Sequence, residues 1–108
     1  TALPPGVRLT VVENGLHAFA NEQPLQPTKE LLHGPARVLP NEAPGLATRV
    51  VDVGWPTDTS ADALVDALIA EARGGAEPFV ALRGRDRWVQ TIEPAPIAAP
   101  AKTPLRAG

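Results

Sequence analysis

Residues 31–53 contain the longest apolar pattern in the chain, and the period of that pattern changes partway along. Up to Glu42 the apolar side chains recur at helical spacing, whereas residues 49–53 form a β-branched run that is typical of a buried strand. Ala43-Pro44-Gly45 separates the two halves with turn-forming residues. A helix, a tight turn and a hydrophobic strand make up half of a βαβ unit, so this stretch predicts an α/β fold.

A proline interrupts the first predicted helix, which begins at residues 27–30 with Thr28 as the candidate N-cap. Gly34-Pro35 lies inside the helical pattern, and a proline in an unadapted helix interior costs about 3 kcal/mol. We therefore expect a kink at this point, or two short helices that meet there.

A second helix is predicted after a cap at Thr59 or Ser60, and Gly74-Gly75 ends it. Trp55 precedes this helix and is expected to pack at the sheet edge. The apolar residues of the helix recur on one stripe, which we expect to face the sheet. The stripe consists of Ala61, Leu64, Val65, Leu68, Ile69 and Ala72.

Three more runs predict strands. Residues 7–12 are rich in valine, which favours burial on both faces, as in a parallel sheet. Phe79–Arg83 and residues 87–92 flank a turn at Gly84-Arg85-Asp86, so they predict a hairpin. The order β-α-β-α-β-β predicts a truncated Rossmann-like, three-layer fold, with a mostly parallel sheet, right-handed crossovers and a C-terminal antiparallel hairpin.

Composition excludes several classes of function. The chain has 108 residues, a net charge of −2 and no cysteine, so a disulfide framework and a thiolate metal site are both ruled out. Acidic and basic residues are mixed along the chain, which argues against nucleic acid or an anionic membrane as partner. No apolar run approaches the roughly 20 residues that span a bilayer. These features fit a cytoplasmic protein.

The sequence offers no catalytic, cofactor-binding or metal-binding residue. No Gly-x-Gly-x-x-Gly follows a predicted strand, there is no tyrosine, and Ser60, the only serine, is a candidate cap. His17 and His33 lack metal-ligand spacing. Carboxylates such as Glu13, Glu22, Glu30 and Glu42 could pair in space, but their spacing does not indicate it.

The hairpin carries the one candidate interaction site. Arg83, Arg85 and Arg87 alternate around its turn, where they could hold a phosphate or form a solvated edge that resists aggregation. Trp88 follows them, and it either anchors an interface or closes the chain's own small core. We take these four residues together as a hypothetical interface.

Two motifs resemble parts of modular polyketide synthases. The chain contains GPARVLPNEAPGLATRVVD at residues 34–52, similar to a family segment that reads roughly G-P-x-R-V-x-P-x-E-x-P-x-L-x-x-R-x-x-D. It also contains FVALRGRDRWVQT at residues 79–91, which resembles the family hairpin ALR-x-G-x-R-Y-V, with Trp88 in the place of the usual tyrosine. Leu105-Arg106-x-Gly108 is similar to the junction before the reductase. Family members often carry a further strand and helix before the segment that matches residues 7–12.

The resemblance implies a structural, non-catalytic ketoreductase subdomain at residues 1–93, followed by a Pro-rich linker at residues 94–108. The subdomain would support a catalytic ketoreductase domain, active or inactive, that uses NADPH on β-ketoacyl chains carried by an acyl carrier protein. The parent synthase would be a multifunctional, homodimeric, cytoplasmic enzyme. This chain itself would hold no cofactor and no catalytic residue.

Two other interpretations stay open. The chain could be a free-standing small α/β domain that binds a ligand or a protein, with a ligand at the carboxyl ends of the strands. It could also be a small enzyme that uses carboxylates without a recognisable motif.

Overall fold

In a computed structural model, the described part of the chain forms a four-stranded mixed sheet with two α-helices. The structure describes residue 4 and residues 6–19, 25–54 and 60–98. The predictions for Trp55, Thr59, Glu22 and the junction at residues 105–108 fall outside the described residues.

The order of elements agrees with the β-α-β-α-β-β prediction. The strands are β1 (Val7–Asn14), β2 (Leu46–Val53), β3 (Phe79–Arg83) and β4 (Asp86–Val89); the helices are a 3-10 helix (Pro27–Leu32), α1 (His33–Glu42) and α2 (Ala61–Arg73). The strands lie in the order β1-β2-β3-β4. The first three are parallel, and β4 pairs antiparallel with β3. The predicted fold class, a truncated Rossmann-like α/β fold, is confirmed.

The two α-helices lie on opposite faces of the sheet. Ala36 of α1 packs with Val50 of β2, whereas Leu68 of α2 packs with Val51 and Val80. Side chains alternate along a strand, so Val50 and Val51 point to opposite faces. We call these the α1 face and the α2 face; the fold has three layers.

The two crossover connections, β1 to β2 and β2 to β3, step across the sheet in the same direction but pass over opposite faces. They therefore have opposite hands, and the prediction that the crossovers are right-handed is wrong for one of them.

The edge strands are open to solvent. Leu9 and Val12 of β1, and Trp88 and Val89 of β4, are 40% to 50% exposed. The prediction that β1 is buried on both faces is wrong, because β1 is an edge strand and the helices cover mainly β2 and β3. The apolar core accordingly follows these central strands.

The first helix is divided as expected, but at a different residue. The 3-10 helix gives way to α1 at His33, so Pro35 falls in the first turn of α1, where its missing N–H needs no partner. Thr28 is not the cap, because the helix begins one residue earlier and Gln26 precedes it. Pro40 lies inside α1 and cannot bond the Ala36 carbonyl.

A hydroxyl from β2 compensates for that lost bond. Thr48 donates its hydroxyl proton to the carbonyl oxygen of Ala36, four residues before Pro40. The proline therefore leaves an acceptor that the neighbouring strand uses, and this bond fixes α1 against β2.

The cap of α2 is as predicted, but the helix is rotated relative to the predicted stripe. The Ser60 hydroxyl accepts from the Ala63 amide at 3.3 Å. Leu68 and Ala67 contact the core, while Val65 is 51% exposed and Ile69 is also exposed. The stripe prediction is therefore wrong for four of its six residues, since only Leu64 and Leu68 are partly buried, and the buried face of the helix includes Glu71 instead.

Candidate docking surface and the ion pairs that support it

The hairpin distributes the four predicted interface residues over two faces. Ala81 pairs with Trp88, and Arg83 lies two residues further along β3, so Arg83 and Trp88 share the α1 face. Arg87 pairs with Leu82 and lies on the α2 face. Arg85 lies in the exposed turn. The hairpin alone therefore does not gather the three guanidinium groups around one phosphate.

Arg83 is bound to Asp52, a fully buried carboxylate. One guanidinium nitrogen of Arg83 is 2.7 Å from Asp52 Oδ2, and the other donates to the Asp52 carbonyl at 2.8 Å. The Asp52 side chain is 0% exposed, and a carboxylate so deeply buried requires partners for its charge and its lone pairs.

Two backbone amides complete the surroundings of Asp52. Leu16 donates its N–H to Oδ1 at 3.3 Å, and His17 donates to Oδ2 at 3.0 Å. Arg83 also donates to the His17 carbonyl at 3.0 Å. The loop after β1 is thus folded back onto the carboxyl end of β2, and these two amides are occupied within the chain.

This edge is where an open α/β sheet ordinarily binds a ligand. A dinucleotide-binding fold places a glycine-rich turn and a helix N-terminus after its first strand, and their free N–H groups hold the pyrophosphate. Here the loop after β1 gives its N–H groups to Asp52. Gly15, the glycine of that loop, has a φ of 74° and accepts the Gln26 amide on its carbonyl at 2.8 Å.

The two histidines, far apart in sequence, meet beside Phe79. The His17 and His33 ring centroids are 6.3 Å apart, and both rings contact the Phe79 ring, at 4.6 and 5.4 Å. His33 Nδ1 is 3.0 Å from a Glu30 carboxylate oxygen. Among residues 6–19, 25–54 and 60–98, no three histidine, aspartate or glutamate side chains group so that they could hold a metal ion. We interpret the His17, His33 and Phe79 rings as packing contacts between the loop after β1, α1 and β3.

Glu71 of α2 is the centre of a second buried ion-pair network, on the α2 face. Arg49 donates to Glu71 Oε2 at 2.8 Å, and Arg87 donates to Oε1 at 2.5 Å. The hydrogen bond from Arg87, followed by the charges of both arginines, lowers the pKa of Glu71, and the same contact raises the pKa of Arg87. Arg87 also bonds Glu77 at 2.8 Å and lowers the pKa of that carboxyl.

Arg49 also closes the C-terminal end of α2. Its guanidinium donates to the Glu71 and Gly74 carbonyls, where free acceptors and the negative end of the helix dipole favour a cation. Gly75 has a φ of 89°, and a Cβ added there would lie 2.8 Å from the Arg49 guanidinium. The predicted glycine stop is confirmed, and the close approach of Arg49 adds a second reason for glycine at this position.

Trp88 is half exposed and forms a patch with two neighbours. Its ring centroid lies 5.2 Å from that of Phe19, and the Arg83 guanidinium carbon lies 4.6 Å from the Phe19 centroid. Trp88 is 50% exposed. We call Trp88, Phe19 and Arg83 the aromatic patch; it adjoins the exposed Arg85 turn.

An open groove lies on the α1 face near the amino ends of β2 and β3. It encloses about 450 Å³ and is lined mainly by apolar residues, with Ala36 and Pro40 on one side, Val50 and Phe79 on the floor and Ile92 at the rim. It lies away from the carboxyl edge, where a ligand was expected for a free-standing binding domain.

Sequence reasoning missed the buried charges. Arg49 and Asp52 lie in the run that predicts a buried strand, but that prediction gives their charges no partners, and Glu71 lies outside the predicted apolar stripe; each of the three is less than 9% exposed. The run Arg49-Val50-Val51-Asp52-Val53 contained a signal, because two charges inside a buried strand require partners. Glu71 had a weaker signal, since it follows Leu68 by three residues and Leu64 by seven, on the same face.

The chain matches no protein-family model, and neither a curated protein nor a solved structure matches it. Within the part of the chain that the structure describes, no helix has the length and apolar character needed to cross a membrane.

Proposed function

We propose that this chain is a non-catalytic structural subdomain that supports the ketoreductase region of a modular polyketide synthase. The catalytic domain that it supports, active or inactive, would bind NADPH and act on β-ketoacyl chains held by an acyl carrier protein in the cytoplasm. The two motifs at residues 34–52 and 79–91 suggest the family, and the geometry of the sheet supports the structural role.

One observation carries the non-catalytic part of the proposal. Asp52 occupies the carboxyl edge of the sheet, and it is hydrogen-bonded to the amides of Leu16 and His17 and to Arg83. An anionic cofactor that approached this edge would meet a buried carboxylate and amides that are already bonded. The edge therefore opposes a pyrophosphate instead of attracting one.

The supporting part of the proposal rests on surface that the chain leaves uncovered. The aromatic patch combines an exposed tryptophan with a neighbouring aromatic ring and a cation, the side chains most enriched where proteins bind each other. Arg83 and Arg87 are held in place by Asp52 and Glu71, so the hairpin is presented as a rigid edge. We place the contact with the catalytic domain at Trp88 and the Arg85 turn.

The alternative of a free-standing ligand-binding domain has less support. Its expected site at the carboxyl edge is occupied by the chain's own loop, and the apolar groove lies near the opposite ends of the strands.

A chimera tests the proposal. The chain replaces the structural subdomain ahead of a catalytic subdomain from a modular polyketide synthase ketoreductase, and the catalytic subdomain alone serves as reference. We expect the chimera to be more soluble and to reduce a β-ketoacyl thioester faster, measured by consumption of NADPH. Equal activity with and without the chain, across several catalytic subdomains, would refute the supporting role.

A binding measurement tests the non-catalytic part separately. We expect no appreciable binding of NADPH or NADH to the chain alone in a calorimetric titration, for the reasons given at the carboxyl edge. Micromolar affinity for either nucleotide would contradict the proposal and would favour the ligand-binding alternative.

A further inference from the structure

The end of β1 carries a chemically reactive pair, Asn14-Gly15, that the proposed function does not use. The chain has three asparagines, and only Asn14 is followed by glycine; Asn21 and Asn41 each precede a glutamate. The backbone nitrogen after an asparagine can attack the side-chain amide carbon, and glycine hinders this attack least because it has no Cβ. Gly15 also has a φ of 74°, in the left-handed region that favours glycine.

The reaction needs only the chain and water. The Gly15 nitrogen forms a bond to Asn14 Cγ, and the side-chain NH2 leaves as ammonia together with the proton of the Gly15 nitrogen, so that a cyclic imide closes. Water then opens the imide at either of its carbonyl carbons. One opening gives aspartate at position 14, and the other gives isoaspartate, in which the main chain runs through the former side chain.

Lys29 holds Asn14 away from this reaction in the folded chain. The Lys29 ammonium donates to the main-chain carbonyl oxygen of Asn14 at 3.2 Å and also to the side-chain Oδ1. One donor thus keeps the side-chain oxygen beside the main-chain oxygen, whereas attack requires Cγ to approach the Gly15 nitrogen within about 3–3.5 Å. The pairing of Asn14 with Val53 fixes the backbone at the same point.

We propose that Asn14 is a deamidation site and that Lys29 controls its rate by holding the side chain. The consequence depends on the residues that follow. Leu16 and His17 donate their amides to the buried Asp52, and isoaspartate lengthens the main chain just before them by one carbon–carbon bond of about 1.5 Å. Isoaspartate therefore displaces these donors, whereas aspartate leaves the backbone unchanged and forms a charge-assisted bond with Lys29.

The experiment follows deamidation of the full chain in mildly alkaline buffer by mass spectrometry of its peptides, since exchange of NH2 for OH changes the peptide mass. We expect the product to accumulate at Asn14 and far more slowly at Asn41, which serves as a control in the same chain. Lys29→Met removes the donor and should raise the rate at Asn14 roughly three- to tenfold, the factor that corresponds to about one hydrogen bond.

Two further variants separate the contact of Lys29 from general effects. Lys29→Arg keeps a cationic donor and should react more slowly than Lys29→Met. Arg37→Met is the matched control, because Arg37 is exposed on α1, and it should leave the rate unchanged. Circular dichroism confirms that each variant is folded. In urea, where the contact is lost, wild type and Lys29→Met should react at one rate, faster than folded wild type; this comparison holds whatever the stability of the variant.

The two products are then compared for stability. Chromatography separates the chain with isoaspartate from the chain with aspartate, and we expect only the isoaspartate form to unfold at a lower denaturant concentration than wild type. Asn14→Asp models the aspartate product and should remain close to wild type.

Three results would overturn the inference. Deamidation at Asn41 as fast as at Asn14 would mean that Asn14-Gly15 is not a preferred site. Equal rates for folded wild type, Lys29→Met and Arg37→Met would mean that Lys29 does not control the reaction. An isoaspartate form as stable as wild type would mean that the change at Asn14 does not reach the amides that bind Asp52.

Discussion

Asp52 and Glu71 are the two buried carboxylates that form ion pairs in the described part of the chain, and they are held in different ways on the two faces of one sheet. Asp52 accepts two backbone amides and one arginine, so its partners are set largely by the fold of the β1 loop. Glu71 accepts from the side chains of Arg49 and Arg87. Asp52 therefore fixes the backbone of the loop after β1, whereas Glu71 holds α2 against β2 and β4 through ion pairs. The two sites should respond differently to substitution and to pH.

Removing Asp52 should have the largest effect. Asp52→Ala leaves the Arg83 guanidinium buried without its carboxylate and leaves two amides unpaired, which should lower the free energy of unfolding by about 3–5 kcal/mol. That is a large part of the stability of a small domain, so the variant is expected to be largely unfolded at moderate temperature. Chemical denaturation followed by circular dichroism gives the value.

Asp66→Ala is the control for that substitution. Asp66 is exposed on α2, and its removal should change stability by less than about 0.5 kcal/mol. If Asp52→Ala cost no more than Asp66→Ala, Asp52 would not be the centre of the α1-face network.

Glu71→Gln should have the next largest effect and should also alter the pH dependence. The lost charge-assisted bonds should cost about 3 kcal/mol near neutral pH, since hydrogen bonds to charged groups contribute about 1.5–3 kcal/mol. The folded chain lowers the pKa of Glu71 from its ordinary 4.5. The stabilisation is therefore complete above about pH 4.5 and is lost as the pH falls through the lower pKa of the folded state.

The difference in unfolding free energy between wild type and Glu71→Gln should accordingly shrink below about pH 4.5. Glu42→Gln is the control, because Glu42 is exposed at the end of α1 and its substitution should change the unfolding free energy by less than about 0.5 kcal/mol. A gap between wild type and Glu71→Gln that stays constant down to low pH would mean that Glu71 acts through packing and not through charge.

Leu68→Ala tests the apolar side of the α2 contact. Leu68 packs against Val51, Val80 and Leu82 but is only partly buried, so the loss should be about 2 kcal/mol, the lower end of the range for leucine to alanine. Val65→Ala, one helix face away and half exposed, should cost less than about 0.5 kcal/mol. Equal losses would mean that α2 is oriented as the sequence stripe predicted.

The order and type of the elements could be predicted because they depend on local patterns. The change of period at residues 31–53, the Ser60 cap and the hairpin turn at Gly84 each specify local structure that the fold keeps. The position of β1 at an edge could not be predicted, since a valine-rich strand looks the same wherever it pairs.

The rotation of α2 escaped prediction for an electrostatic reason. The hydrophobic stripe that includes Val65 and Ile69 competes with the ion pairs that Arg49 and Arg87 form with Glu71, and helical periodicity takes no account of charges on other strands. The docking surface was predicted only in part. Trp88 is half exposed, as the prediction that it anchors an interface requires. The partners of Arg83 and Arg87 within the chain could not be predicted, because Asp52 and Glu71 lie far away in sequence.

Trp88→Ala should have the smallest effect on stability. The half-exposed ring loses its contact with Phe19, so the unfolding free energy of the chain alone should fall by only about 0.5–1.5 kcal/mol, the value of an aromatic pair. In the chimera with a ketoreductase catalytic subdomain the effect should be larger, because an interface tryptophan contributes about 2 kcal/mol or more, which is roughly a 30-fold change in affinity. We therefore expect looser docking and slower ketone reduction, while hydride transfer itself persists because no catalytic residue is removed. Trp88→Phe should retain much of the docking, since it keeps an aromatic surface. If Trp88→Ala unfolded the isolated chain, Trp88 would belong to the chain's own core. The catalytic subdomain would then have to bind at another surface of the chain.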